Sequence, residues 1–465
     1  MTIGIVWFRF DLRLNDNLAL NTAIKECEKI IPVFIVDSDK NSPYKPDKSQ
    51  QWWLAKSLES LNKDLKNRGS YLVVRKGNPE TVLQSLIKET GGQKIYCNKC
   101  YEPYLISRDE KITKKMSHID FLSFDGYLLT DPNQIKNKTG GIYKVFTPYW
   151  RACRQKITPQ KKLLAPKKIN TLSKIKIEAI KMLNKKYSDY WVPGEAGALE
   201  KLESFLSDGL SDYKRDRDIP SVFGTSHLSP HLHFGEITPM QVWSAVEGFS
   251  NINKTNQKSV DTFLSQLGWR EFSYYLLYHF PELPEKNWNS KFDSFKWKNN
   301  KEHLKKWQQG KTGYPIIDAG MRELLATGMM HNRVRMLVAS FLIKDLLIDW
   351  REGEAWFWEH LMDADLANNA ASWQWVAGSG ADAAPYFRIF NPVLQAKKFD
   401  PYGEYIKRWI PELKNLPAKY IAAPWEAPED ILKNAGVELG KNYPMPMVDH
   451  NVVRQYALDR YKKLK

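Results

Sequence analysis

From Asn368 to Pro392 the chain sets large aromatic residues among amides, small residues and a single arginine. Asn369, Trp373, Trp375, Asp382, Tyr386 and Arg388 combine flat stacking surfaces with hydrogen-bonding groups, a mixture suited to a planar heteroaromatic ligand. Trp373 and Trp375 stand two apart, about 200° around a helix axis. They must face opposite sides, so one can line a cavity while the other points into the protein. Upstream, Asn332 and Met336 are one helical turn apart and share a face. Asp363 and Asp365 are carboxylates beside an apolar run, where burial demands a partner. Tyr213 precedes Thr225-Ser226-His227-Leu228-Ser229-Pro230, whose hydroxyls and amides near a helix start suit a phosphate as well as an ordinary helix cap.

Elements of two kinds must hold these residues. Short apolar runs at Gly4–Phe8, Ile30–Val36, Tyr71–Arg75, Lys94–Cys97 and Ile119–Phe124 alternate with stretches of helical length. That pattern predicts a doubly wound parallel sheet over residues 1–130. No Gly-x-Gly-x-x-Gly follows the first run, so a dinucleotide fingerprint is absent. A connector over 131–195 is lysine-rich from about Gln155 to Lys186, with prolines at 159 and 166. Residues 196–465 form the third segment. Apolar residues recur there at three- and four-residue spacing through Val260–Tyr278, Ile316–Leu325, Arg335–Leu347 and Trp356–Leu366, which predicts an almost wholly helical domain.

Composition narrows the functional classes. A chain of 465 residues exceeds one ordinary core, which favours at least two domains. The formal net charge of +16 fits a polyanionic partner or a merely basic surface. No apolar run is long enough to cross a bilayer. Cys97-x-x-Cys100 lacks the second pair or the histidines that a zinc site needs, so no metal is expected. The absence of a secretory signal and the cysteine pattern point to a reduced compartment, read as cytoplasmic.

The Asn368–Pro392 stretch, with Met330-His-Asn-Arg-Val-Arg-Met336, Asp345-Leu-Leu-Ile-Asp-Trp-Arg351 and Trp7-Phe-Arg-Phe-Asp-Leu-Arg13, closely resembles the DNA photolyase/cryptochrome family over nearly the whole chain. The resemblance implies an α/β antenna domain joined by a long linker to a helical FAD-binding domain. It assigns FAD contacts to Tyr213, Thr225, Ser226, Leu228, Ser229, Arg270, Arg335, Asp363, Asp365 and Asn369, with Arg335 paired to Asp363, Asp365 on flavin N3–H and Asn369 at N5. Trp269 and Trp375 become the walls around a flipped pyrimidine pair. Arg217, Arg333, Arg388 and Lys398 become DNA contacts, and Trp373, Trp350 and Trp297 an electron relay from surface to flavin. Asn332 and Met336 match enzymes of cyclobutane-dimer type, whereas (6-4) enzymes carry histidines there. Gln266 replaces a glutamate common in class I-like dimer photolyases, which implies a lower quantum yield or a changed base preference. Trp7-Phe8-Arg9, Tyr101-Glu102-Pro103 and Arg108-Asp109 match the antenna region, with Glu102 a candidate for the pterin of methenyltetrahydrofolate, although related domains hold deazaflavins or flavins.

The implied activity is blue-light-driven repair of cyclobutane pyrimidine dimers in DNA by reduced, anionic FAD, in a monomer without an obligate protein partner and associated with the nucleoid when DNA-bound. Two alternatives within the family are a cryptochrome-type photoreceptor without repair and a (6-4) photolyase. A third reading pairs a nucleotide-binding or electron-transfer module with an unrelated helical partner.

Overall fold

The computed structural model describes residues 1–38, 45–158, 163–172, 175, 187–383 and 387–464. Five strands, β1 (Ile3–Phe8), β2 (Lys29–Asp37), β3 (Val73–Gly77), β4 (Lys94–Asn98) and β5 (Asp120–Phe124), pair in parallel in the order β3-β2-β1-β4-β5. The five strands expected from the apolar runs are all present, with ends displaced by at most two residues. β1 is apolar throughout and buried at every position, as a parallel strand covered on both faces must be. Helices Leu18–Glu26, Lys48–Lys66, Pro79–Thr90 and Pro103–Lys115 connect the strands. Asn17 and Asn78 cap the first and third by accepting from backbone N–H groups. Strand order reverses between β1 and β4, so the crevice beyond their carboxyl ends is the natural ligand position of such a sheet.

The described chain divides into two compact units that interleave along the sequence. One comprises 1–211 and 226–281, the other 212–225 and 282–465. In the first, the range expected as a connector contains the helix Phe146–Lys156. Its spacing of Phe146, Tyr149, Trp150 and Cys153 buries one side. Trp150 lies over Gly268, where a Cβ would stand 2.6 Å from the indole. Much of the lysine-rich run falls outside the described residues. The long helix Gln257–His279 also belongs to this unit.

The second unit is helical, as the periodicity predicts. Its core gathers Trp307, Ile317, Met321, Val338, Leu342, Trp350 and Trp373. Two of the expected helical runs differ from the structure. Arg335–Leu347 is a helix from Asn332 to Ser340 that continues as a π-turn over Phe341–Asp345, with Leu346 N–H bonding the Phe341 carbonyl at 3.0 Å. Trp356–Leu366 is broken: one helix ends at His360 and the next begins at Leu366. The break has a local cause, because the Asp365 carboxylate accepts from Asn368 N–H at 2.7 Å and caps the second helix. Asp363, expected within a helix, therefore lies in the turn between two helices.

Candidate functional site

That turn collects the polar groups of the helical unit. Arg335 donates through Nη2 to both oxygens of Asp363, at 3.0 and 2.9 Å, and through Nε to the Met330 carbonyl at 2.7 Å. Asp363 and Asp365 are buried. Asp365 is engaged by Asn368, although a carboxylate has acceptor capacity beyond a cap. One turn into the helix Leu366–Ala377, the buried Asn369 donates from Nδ2 to the Glu354 carbonyl at 3.0 Å. That bond fixes which side of the amide is oxygen. The result is a set of carboxylates, an oriented amide and a guanidinium, chemistry that matches a ring edge presenting N–H and C=O groups.

The tryptophans divide as the 200° argument requires. Trp373 is buried and Trp375 half-buried. Trp373 lies against Gly353, where an added Cβ would stand 2.1 Å from its ring, and packs edge-on to Phe357 at 4.9 Å and Trp307 at 6.4 Å. Trp350 is fully buried, and its Nε1 donates to Asn287 Oδ1 at 3.0 Å. Trp297 is half-buried, 4.4 Å from Phe295. Trp375 donates from Nε1 to the Asp382 carbonyl at 3.1 Å, which fixes its indole plane. Tyr386 lies outside the described residues.

Asn332 is exposed at the start of the helix Asn332–Ser340, and Met336 follows on the same face. Arg333 pairs with Asp218 at 2.8 Å and lies over Phe399 at 4.4 Å. Asp218 also faces Arg217 at 3.8 Å, and Arg217 lies 5.6 Å from the buried Tyr213 ring. One carboxylate thus stands between two guanidiniums that the sequence singled out. Arg388 and Lys398 are exposed. Thr225 ends the short segment that belongs to this unit.

The first unit carries the remaining residues. Ser226, Leu228 and Ser229 lead into the short helix Ser229–His233, whose N-cap position is Leu228 and which has no side-chain cap. Gln266 turns back on its own helix, donating from Nε2 to the Thr262 carbonyl at 3.0 Å and to Ser265 Oγ at 3.1 Å. Trp269 stacks on Phe146 with ring centroids 3.8 Å apart and planes 9° from parallel. Arg270 is buried between the rings of Tyr127 and Tyr274, at 4.5 and 5.1 Å, and donates to the Tyr127 carbonyl and to Glu271. Burial pushes the Glu271 carboxyl up to about 7.

At the carboxyl end of β1 two of the segments singled out in the sequence meet. The guanidiniums of Arg9 and Arg108 lie over the Trp7 ring at 4.9 and 4.8 Å, and Arg9 pairs with Asp109. Glu102 lines a neighbouring cavity of about 10 Å³ with Phe10, Lys99, Tyr101, Tyr127 and Tyr274, room for about one water.

Sequence reasoning passed over four of these residues. Phe146, which backs Trp269, was hidden in a range read as connector, although its helical aromatic spacing was visible. Asp218 is one carboxylate in a charged run. Trp307 shares its type with many core residues. Glu354 is buried with an unpartnered Oε1, and burial raises its carboxyl to about 8; nothing in a sequence flags that. Among the described residues no group of three or more potential ligands could hold a metal ion, and no helix is long and apolar enough to cross a membrane.

Comparison with known proteins accounts for both units. Residues 4–167 match the DNA photolyase model, and residues 263–463 match the FAD binding domain of DNA photolyase. The chain is 49% identical to a deoxyribodipyrimidine photo-lyase of Agrobacterium fabrum, over 99% of its own length and 98% of that protein's. It is 37% identical to cryptochrome-1 of Arabidopsis thaliana, over 96% of this chain and 68% of that one. A crystal structure of a class III photolyase from Agrobacterium tumefaciens superposes with a TM-score of 0.96 at 48% identity, covering 100% of this chain and 98% of that one. With the paired Arg335 and Asp363, the oriented Asn369 and the parallel-sheet unit in place, the chain belongs to the DNA photolyase/cryptochrome family and is an FAD-binding enzyme of its photolyase type.

Proposed function

We propose that the protein repairs cyclobutane pyrimidine dimers in DNA, driven by light. The observation that carries this reading is the pairing of Asn332 with Met336 on one helical face, on the same helix as Arg333 and as Arg335, which pairs with Asp363. Splitting a cyclobutane ring needs one electron in and one out, with no atom transferred, so an amide and a thioether suffice where an acid–base pair would otherwise stand. FAD, reduced and anionic when bound, would be the source and the final acceptor of that electron.

The protein's own residues hold and orient. With FAD bound, Asp363, fixed by Arg335, and Asp365 would be the acceptors for the N–H edge of its ring, and Asn369, its amino group committed to the Glu354 carbonyl, would offer its carbonyl oxygen to the flavin. Tyr213 and Thr225, and Ser226, Leu228 and Ser229 with their uncapped helix start, suit the pyrophosphate. Trp375, set by the Asp382 carbonyl, and Trp269, backed by Phe146, offer stacking surfaces to an extruded lesion. Arg217, Arg333, Arg388 and Lys398 are assigned to DNA phosphates, Trp373, Trp350 and Trp297 to electron supply. A second chromophore of pterin, deazaflavin or flavin class, a monomeric state, a cytoplasmic location and the segment boundaries at 130 and 195 belong to the same proposal.

The 37% identity to a plant cryptochrome supports a second reading, a photoreceptor without repair. One experiment separates them. Reduced protein is illuminated with an oligothymidine carrying one cyclobutane dimer, and the return of the thymine absorbance band is followed against a dark control. Light-dependent recovery is expected; no recovery from protein that retains reduced FAD would overturn the repair reading, and recovery only with a (6-4) lesion would replace the substrate.

A further inference from the structure

The π-turn Phe341–Asp345 buries a lysine that no role above uses. Lys344 is 3% exposed. Its ammonium lies 4.7 Å from the centre of the Phe387 ring and donates to the Arg388 carbonyl. Both partners sit in the segment that leads into the helix Pro392–Phe399. That segment is also tied to the same helical element through Phe390 N–H and Ser340 Oγ, at 3.4 Å. Phe387 is held on its other contacts by Tyr461, stacked at 4.8 Å and 9°, and by Phe295 at 6.1 Å. Asn391 then caps the helix that carries Lys398 and Phe399, the ring under Arg333.

A buried ammonium is costly unless it is paired and hydrogen-bonded, and an unbranched apolar residue would fill the same space at no such cost. The charged groups that face Lys344 among the described residues are Asp345 on its own turn and Arg388 on the packed segment, and Asp345 is itself bonded to His450 of the helix His450–Lys462 at 2.5 Å. Asp345 is therefore shared, and the hydrogen bond to the Arg388 carbonyl and the cation–π contact with Phe387 are what a lysine supplies here and a methionine cannot.

We propose that Lys344 is a positioning residue whose charge clamps the Phe387–Phe390 segment, so that Arg388 is presented to the DNA backbone in a fixed orientation and damaged-DNA affinity depends on that charge. The DNA half of this statement rests on the repair reading above. Burial lowers the Lys344 ammonium to about 7, against the favourable effect of Asp345, so the clamp is charged in mild acid and loses its charge in mild alkali. The loss converts a charge-assisted hydrogen bond and a cation–π contact into weaker neutral ones.

The test is hydrogen exchange of the Phe387–Phe390 amides in DNA-free holoprotein at pH 6 and pH 8.5, normalised to intrinsic rates, with the helix Pro315–Thr327 as internal reference. In the parent, protection of the segment relative to the reference falls about tenfold between the two pH values. In Lys344→Met it is low at both and no longer moves with pH. Equal protection at both pH values in the parent overturns the clamp and needs no variant to fold. Binding of dimer-containing oligothymidine to Lys344→Met and to Arg388→Ala then separates the halves. Weakening in both, about tenfold, with that of Lys344→Met present at pH 6 and absent at pH 8.5, supports the proposal. No weakening in Arg388→Ala removes Arg388 from the DNA contact and overturns the presentation of Arg388, whatever the exchange shows.

Discussion

The Asn369 amide donates to the backbone carbonyl of Glu354 at 3.0 Å, so a side chain assigned to flavin N5 is oriented by the main chain of the helix Trp350–His360. The same residue, Glu354, buries a carboxyl with one oxygen unpartnered. Its backbone serves the site while its side chain imposes a pH dependence.

That dependence has a definite sign. Burial raises the Glu354 carboxyl to about 8 in the folded protein, whereas the unfolded chain ionises near the usual glutamate value, about 4.3. The neutral acid is thus favoured by folding, and its contribution is full at low pH and lost as pH rises through 8. Glu354→Gln should be nearly equal to the parent near pH 4.5 and increasingly more stable than it up to pH 8.5. Urea unfolding at a series of pH values checks this, and a constant gap would mean that Glu354 ionises normally.

Removing the carboxylate that holds Arg335 should be expensive. Asp363→Ala leaves a guanidinium partly buried without its partner, and for such pairs the loss is about 3–5 kcal/mol. Since the Arg335 side chain is 23% exposed, the lower end, about 3 kcal/mol, is expected. FAD content of the purified variant should fall with it; full flavin occupancy would detach the pair from the cofactor.

For the relay, Trp373→Phe should slow photoreduction of oxidised FAD while leaving repair by chemically reduced enzyme nearly unchanged. Trp307→Phe serves as the comparison, because Trp307 touches Trp373 edge-on at 6.4 Å but lies outside the assigned series. Equal photoreduction by the Trp373 variant and the parent would take Trp373 out of the relay.

The stack of Phe146 on Trp269 makes its own prediction. Phe146→Leu keeps an apolar contact but removes the flat backing at 3.8 Å. Affinity for dimer-containing DNA should drop by about 0.5–1.5 kcal/mol, the range for an aromatic pair, and by less than the roughly 1–3 kcal/mol expected when Trp375→Ala removes a base-stacking ring outright. Filter binding or anisotropy measures both, and an unchanged affinity for both variants would mean that neither ring meets the lesion.

Gln266 offers a gain-of-function test. Its amide is occupied by the Thr262 carbonyl and Ser265 Oγ of its own helix. Gln266→Glu cannot donate those bonds when ionised and, when protonated, brings a proton to share with a lesion carbonyl. Repair quantum yield should rise in the variant; a lower yield would mean that the amide is the better partner in this chain.

How much of this was legible beforehand follows from what each feature depends on. The strands were readable because β1 and its neighbours are buried on both faces and so carry continuous apolar runs. The helix break at His360–Leu366 was not, because the apolar spacing of Trp356–Leu366 runs through it, and only the capping of Asn368 by Asp365 reveals the interruption. Arg335 and Asp363 came from resemblance, and the geometry gave the contact of one guanidinium nitrogen with both carboxylate oxygens. Asp218 between Arg217 and Arg333, Phe146 behind Trp269 and Lys344 under Arg388 are meetings of residues far apart in sequence, each of an ordinary type, and no local pattern marks them.

The interleaved chain path has a consequence for anyone cutting the protein into pieces. A fragment beginning at Glu282 would retain the helices with Arg333, Arg335, Asp363 and Asn369, yet would omit 212–225 and with it Tyr213, Arg217 and Asp218. Arg333 would lose its carboxylate, and the fragment would lack the buried Tyr213 ring. The helical unit is therefore not excisable at a single bond. A polypeptide ending near residue 281 would carry 212–225 away with it, a piece of the other unit's fold left on the wrong side of the cut.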